Sequence, residues 1–163
     1  MVEEFDYGNF FLYFGPGKET NHFKTGSKFV RSVCMKDYLF TMEMETRDYE
    51  CDIQGVVNNA NYLHYLEATR HCWLGERGVS FAEWHERGID VVVSQISIKY
   101  RVPLKGREQF ISCLNLRREG ARFIFSQDIY RKSDMKLCVS AEVETVSIVN
   151  GKLSRGDEVA SLV

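Results

Sequence analysis

One stretch of this chain has the period of a long helix, and nearly everything after it alternates like sheet. Tyr62, Tyr65, Leu66, Thr69, Cys72 and Trp73 recur at three- and four-residue steps and make one helix face. His64, Glu67, Arg70 and His71 fall on the other face, and Gly75 and Gly78 end the pattern. A shorter helix follows, opened by a Ser80/Glu83 capping box and closed by Gly88. Then come four segments rich in β-branched and alternating residues, "IDVVVSQISIKYRV", "REQFISCLNLRRE", "ARFIFSQDIYRK" and "KLCVSAEVETVSIV". They are separated by Pro103, Gly106, Gly120 and Ser133-Asp134, and Asn150-Gly151 marks a further turn. Before the long helix, Phe40, Met42 and Met44 alternate with Glu43, Glu45 and Arg47, a half-buried strand that Gly55 breaks. The short connections predict antiparallel pairing of successive strands. The fold class is therefore α+β, one antiparallel sheet with one dominant helix against it. One helix covers only part of such a sheet. The uncovered face and an edge strand are most simply hidden by a second copy, so a homo-oligomer is expected.

The 163 residues suit one domain with a real core. Met35 opens a clean domain pattern, so residues 35–163 are read as the domain. Residues 1–34 are read as an appendage, or as translated sequence ahead of the natural start. That N-terminal stretch is acidic at its start and interrupted by Gly and Pro, unlike a signal or transit peptide. A net charge of −2, with both signs spread along the chain, argues against nucleic acid as a partner. No apolar run has the length of a membrane span. The five cysteines are odd in number and lack CxxC spacing, which fits a reducing compartment, the cytoplasm, better than a disulfide framework or zinc site.

The candidate chemistry lies in "CDIQGVVNNANYLHYLEATR", residues 51–70. Asn58 suits an N-cap, its side-chain oxygen accepting from the N–H of Ala60 or Asn61. Val57 and Tyr62 then occupy the two positions of a hydrophobic staple. The N–H of Asn59 is left without a partner inside the helix, at the positive end of its dipole, where an oxyanion fits. Gly55 allows a tight turn and close approach of a ligand. Asp52 sits one short loop away. Ordinary aspartates are charged at neutral pH, and such a carboxylate can activate water or attack a carbonyl. A carboxylate beside an oxyanion donor is half of an acyl-transfer site. On the residues alone, a plain loop acid beside an ordinary cap is the better reading.

"RDYECDIQGVVNNANYLHYLEATR" resembles the active-site segment of hotdog-fold thioesterases of the 4-hydroxybenzoyl-CoA thioesterase-like group. The shared pattern falls on Asp52, Gly55, Val57, Asn58, Asn59, Ala60, Asn61 and Tyr62, with Glu67 and Arg70 following on the helix. The likeness runs from about Tyr38 to Val149 and extends to bacterial acyl-CoA and plant acyl-lipid thioesterases. It implies a hotdog fold, working as a homodimer or homotetramer, that hydrolyses acyl-CoA or acyl-carrier-protein thioesters without a cofactor. Carried over, Asp52 is the catalytic carboxylate, the backbone N–H of Asn59 polarises the thioester carbonyl, and Glu67 is an auxiliary carboxylate. Gly55, Val57, Asn58 and Tyr62 border the substrate. Val56 stands where many relatives carry His, so no histidine of this loop serves as acid.

Coenzyme A carries phosphates, and Arg101, Lys105, Arg107, Arg117, Arg118 and Arg122 cluster at turns as candidates to hold it; solvated turn charge is the plainer reading of each. An acidic carrier protein would suit the same residues. His64, Glu67 and His71 share a helix face at metal-ligand spacing, but without HExxH or a Cys/His cluster they read as a polar face or subunit contact, and no metal is expected. GxSxG is absent, which disfavours a serine hydrolase. Two other functions suit the architecture: a hotdog dehydratase or hydratase, which needs a His beside a carboxylate near the helix, and a non-catalytic acyl-binding module, which has no use for Asp52.

Overall fold

A computed structural model describes residues 37–162. The proposed extension, residues 1–34, lies outside the described residues. The elements run β1 (Phe40–Glu45), α1 (Asn59–Glu76), α2 (Phe81–Glu86), β2 (Ile89–Tyr100), β3 (Gln109–Glu119), β4 (Arg122–Arg131), β5 (Leu137–Val149) and β6 (Lys152–Leu153). The order is the expected one, and the class is α+β. Two boundaries differ. β1 stops at Glu45 rather than near Gly55, because a 3₁₀ turn at Asp48–Glu50 intervenes. Asn150 and Gly151, at φ 49° and 76°, form a left-handed turn that adds the short strand β6.

The sheet order is β1-β3-β4-β5-β2, every pair antiparallel. The pairing of successive strands therefore fails at one place: β2 pairs with β5, and β3 with β1. Residues 101–108 are no hairpin turn. They cross beneath the start of α1, where Val57 N–H donates to the Leu104 carbonyl at 2.8 Å and Leu104 is fully buried. With one long helix against a curled antiparallel sheet, this is the hotdog arrangement.

Helix α1 lies chiefly over β3 and β1. Leu66, Phe110, Leu114, Ile129, Val139 and Val143 are wholly buried in the seam, each worth about 1.5–3 kcal/mol of apolar transfer. The face of α1 departs from the sequence pattern at two positions. Arg70, placed on the polar side by periodicity, is buried, while Cys72 is only half-buried. Arg70 turns inward because the sheet offers a polar partner: its Nη1 donates to Gln127 Oε1 at 2.9 Å, and Gln127 Nε2 donates to the Leu66 carbonyl at 2.9 Å. Beside them Thr69 hydrogen-bonds the Tyr65 carbonyl and the Ser112 hydroxyl, at 2.8 and 2.7 Å. This polar seam fixes the helix register on the sheet.

Gly75 lies inside the last turn of α1, and Gly78 at φ 71° ends it. Val79 N–H donates to the Leu74 carbonyl and Gly78 N–H to that of Gly75, both at 3.0 Å, the paired bonds of a Schellman cap. Ser80 caps α2 by accepting from Glu83 N–H at 3.3 Å.

The edge strand β2 is only partly covered. Its helix-side residues Val93, Ile96 and Tyr100, opposite Thr145, Val143 and Val139, are 46, 40 and 47% exposed. An apolar stripe on a long edge strand is a surface that pairs readily with another strand.

Candidate active site

The 3₁₀ turn and the start of α1 are tied through one residue. The Glu50 carbonyl accepts from Asn58 N–H at 2.9 Å and from the Asn61 side chain at 2.7 Å, and Glu50 Oε2 accepts from the Tyr65 hydroxyl at 2.6 Å. Between these anchors, residues 52–56 close a tight turn. Asp52 N–H donates to the Val56 carbonyl, and Gly55, at φ 74°, donates to that of Asp52, both at 2.9 Å. Gln54 N–H donates to Asp52 Oδ1 at 2.8 Å. This local bond orients the carboxylate and leaves Oδ2 with no partner among the described residues.

Asn58 is the N-cap of α1, with its Oδ1 accepting from Ala60 N–H at 3.0 Å. Val57 and Tyr62 are both buried in one cluster, as a staple requires. The N–H of Asn59 has no acceptor among the described residues. Asn59 lines a groove of about 260 Å³ together with Asp52, Tyr62, Tyr100, Arg101 and Cys138. The loop and helix start thus bring Asp52 and Asn59 to the lining of one groove. Among groups nearby, burial pushes the Tyr62 phenol up against the pull of the Leu104 N–H it accepts at 3.0 Å. Burial likewise pushes the Cys138 thiol up, against the pull of Arg131, which leaves it a poor nucleophile.

The remaining candidates separate. Arg101 lines the groove, and no ion pair holds it among the described residues. Lys105 pairs its backbone with Val56 behind the loop, outside the lining. Arg107 is committed elsewhere, its Nε and Nη2 both on Asp48 Oδ2 at 2.8 and 2.7 Å. Arg117, Arg118 and Arg122 stand at the far tip of the β3–β4 hairpin, paired with Glu119 and Glu142, Asp157, and Glu144 respectively. These pairs form within the β3 end, across strands and to the C-terminal segment. Glu67 stands off the groove on the exposed face of α1, two turns beyond Asn59, its carboxylate 3.9 Å from His71 Nε2. Gly55 shapes the turn but does not line the groove.

Tyr100, Val102 and Pro103 complete the groove wall and were not among the sequence candidates. Their only sequence signal is position, flanking Arg101 where β2 ends.

The comparisons agree with this architecture. The thioesterase-like superfamily matches residues 46–160. A chloroplastic acyl-acyl carrier protein thioesterase of Arabidopsis thaliana is 29% identical over 102 residues, 62% of this chain and 54% of that protein, so the chain spans about half the length of that relative. A protein of Aquifex aeolicus, provisionally described as an esterase, is 31% identical over 117 residues, 67% of this chain and 91% of its own. Among solved structures, the 1,4-dihydroxy-2-naphthoyl-CoA thioesterase of Synechocystis superposes with a TM-score of 0.69 at 20% identity, covering 73% of this chain and 90% of that one. With most of the described domain, including the turn of Asp52 and the open end of α1, inside the matched span, the chain belongs to the thioesterase-like superfamily.

Proposed function

We propose that this chain hydrolyses acyl thioesters, of coenzyme A or of an acyl carrier protein, and that Asp52 and the Asn59 N–H carry the reaction. The observation that supports it most is the shared groove: Asp52, with one carboxylate oxygen unpartnered among the described residues, and Asn59, whose N–H has no acceptor among them, line the same space. The thioester carbonyl oxygen accepts from Asn59 N–H, which stabilises the negative charge of the tetrahedral intermediate; one such donor is typically worth on the order of 3 kcal/mol. Asp52 either takes a proton from the attacking water or attacks the carbonyl carbon to give an anhydride that water then opens. On the first route Asp52 returns that proton to the departing thiolate; on the second the sulfur leaves as thiolate and takes a proton from water; on both the C–S bond breaks and the acid is released. With apolar Val56 in the loop, no histidine there supplies the proton. Arg101 at the groove is the cation best placed for the phosphates or acidic surface of the carrier.

The working form is a homodimer or a tetramer built from it, joined along β2, whose exposed apolar stripe borders the groove at Tyr100. Within one chain Glu67 does not line the groove, so a part in the reaction would require the groove of a second copy, and an ion-pair role beside His71 is the simpler one. A cytoplasmic, reducing setting suits five cysteines without CxxC spacing.

The test is thiol release across a panel of acyl-CoA and acyl-carrier substrates, for the wild type and Asp52→Asn. The wild type is expected to turn over at least one substrate, and Asp52→Asn to remain a folded oligomer that turns over none. Near wild-type turnover by that variant refutes the mechanism. Label in the Asp52 carboxyl after a single turnover in heavy-oxygen water shows attack by Asp52; activation of water labels the product alone, as does an anhydride opened at the acyl carbon.

A further inference from the structure

The groove has one wall whose polar atom is turned back on the helix. Tyr100 closes β2, and its ring stands half exposed at the groove. Its hydroxyl donates to the Asn59 carbonyl at 3.1 Å. Its ring meets that of Tyr62 edge-on, with centroids 5.6 Å apart. Tyr62 is itself held, through its hydroxyl to Leu104 N–H at 3.0 Å and its ring against Tyr65 at 5.9 Å. Both polar ends of the peptide unit joining Asn59 to Ala60 are therefore gripped by side chains, the Ala60 N–H by Asn58 Oδ1 and the Asn59 carbonyl by Tyr100. Asn58 belongs to the same turn and moves with it. Tyr100 comes from the sheet and ties that turn to a different element.

We propose that Tyr100 is a positioning residue for thioester hydrolysis, its hydroxyl holding the Asn59 carbonyl so that the backbone torsions of Asn59, and through them the direction of the Asn59 N–H on the other side of the same Cα, stay fixed beside Asp52. The inference rests on the reading of that N–H as the thioester carbonyl's donor. The first turn of a helix has unpaired N–H groups and frays readily, and a donor that swings off line weakens steeply. A hydrogen bond at a half-exposed hydroxyl adds little to folding, because water replaces it on unfolding or substitution. Its value lies in geometry, so its loss appears in turnover rather than in stability.

Tyr100→Phe keeps the ring and its contact with Tyr62 and removes only the hydroxyl. We expect kcat to fall by about 2- to 12-fold, the equivalent of one ordinary hydrogen bond, with KM within about twofold and the melting midpoint unchanged. In amide NMR spectra of the oligomer, the Asn59 and Ala60 signals are expected to shift and those of Leu74 to Glu76, at the other end of α1, to stay. Undiminished kcat in Tyr100→Phe, or a loss confined to KM, overturns the assignment while the thioesterase reading stands on Asp52→Asn. If the wild type hydrolyses no substrate, that reading has failed, and unmoved Asn59 and Ala60 signals in Tyr100→Phe overturn the positioning role by themselves.

Discussion

Replacing Asn58 by Asp separates stability from activity in opposite directions. The two side chains have the same shape, and Asp keeps an acceptor for Ala60 N–H, now held at 3.0 Å. It also adds a full negative charge at the positive end of α1. The helix dipole favours that charge by about 0.3–1 kcal/mol, which raises the melting midpoint by roughly 1–4 °C in a domain of this size. The reaction disfavours it. The transition state places negative charge on the carbonyl oxygen at Asn59 N–H, one residue from the cap. With each anion about 3 Å from its donor, the two lie roughly 6 Å apart; at an effective dielectric constant of about 40 they repel by about 1.4 kcal/mol, tenfold in rate. Asn58→Asp is thus expected to be more stable and about tenfold slower. Asn58→Ala, which loses the cap, is expected to be less stable by about 1 kcal/mol. Circular-dichroism melts and thiol-release kinetics at low ionic strength read the two effects. Raising the salt should return part of the lost rate, since a surface charge is screened within about 10 Å at 0.1 M. Undiminished kcat in Asn58→Asp would refute an oxyanion at Asn59, and a lower melting midpoint would refute the cap.

Gln127→Leu removes the partner of buried Arg70 and of the Leu66 carbonyl, and should cost about 2–4 kcal/mol in urea unfolding; a loss below about 1 kcal/mol would show that Arg70 is satisfied without it. Ile96→Lys puts a charge in the exposed stripe of β2 and should shift the sedimenting species from dimer to monomer, an expectation that fails if the wild type itself sediments as a monomer. His85 Nδ1 lies 2.7 Å from Asp90 Oδ1, and that hydrogen bond and charge raise the imidazole above its ordinary range. A raised folded-state value means that the bond stabilises below about pH 6.5 and that its contribution fades as pH rises through the raised value. His85→Ala should therefore lower the melting midpoint at pH 5.5 and match the wild type at pH 9; an equal gap at both would exclude a charge effect.

What neighbouring residues decide among themselves is legible along the chain. The period of α1, the cap at Asn58, the staple of Val57 and Tyr62, the Gly78 stop and the alternation of the strands all come from contacts a few residues apart, and they needed no fold to be read. The capping half of the candidate site belongs to this class. Asp52 was singled out by its distance from the cap and by resemblance, not by any periodic signal. Which strands are neighbours is set by the folded sheet, and the rest followed from that. β2 lies at the edge beside β5, so Tyr100 reaches the Asn59 carbonyl from 41 residues away. Gln127 on β4 lies under α1, so Arg70 is drawn inward against its periodicity. Carboxylates on β5 and the C-terminal segment meet Arg117, Arg118 and Arg122, so these cations are spent within the chain. A side chain's neighbours across a sheet depend on strand order and register, which leave no mark on the residues flanking it in sequence. That is why the helix end was legible and the wall of the groove was not.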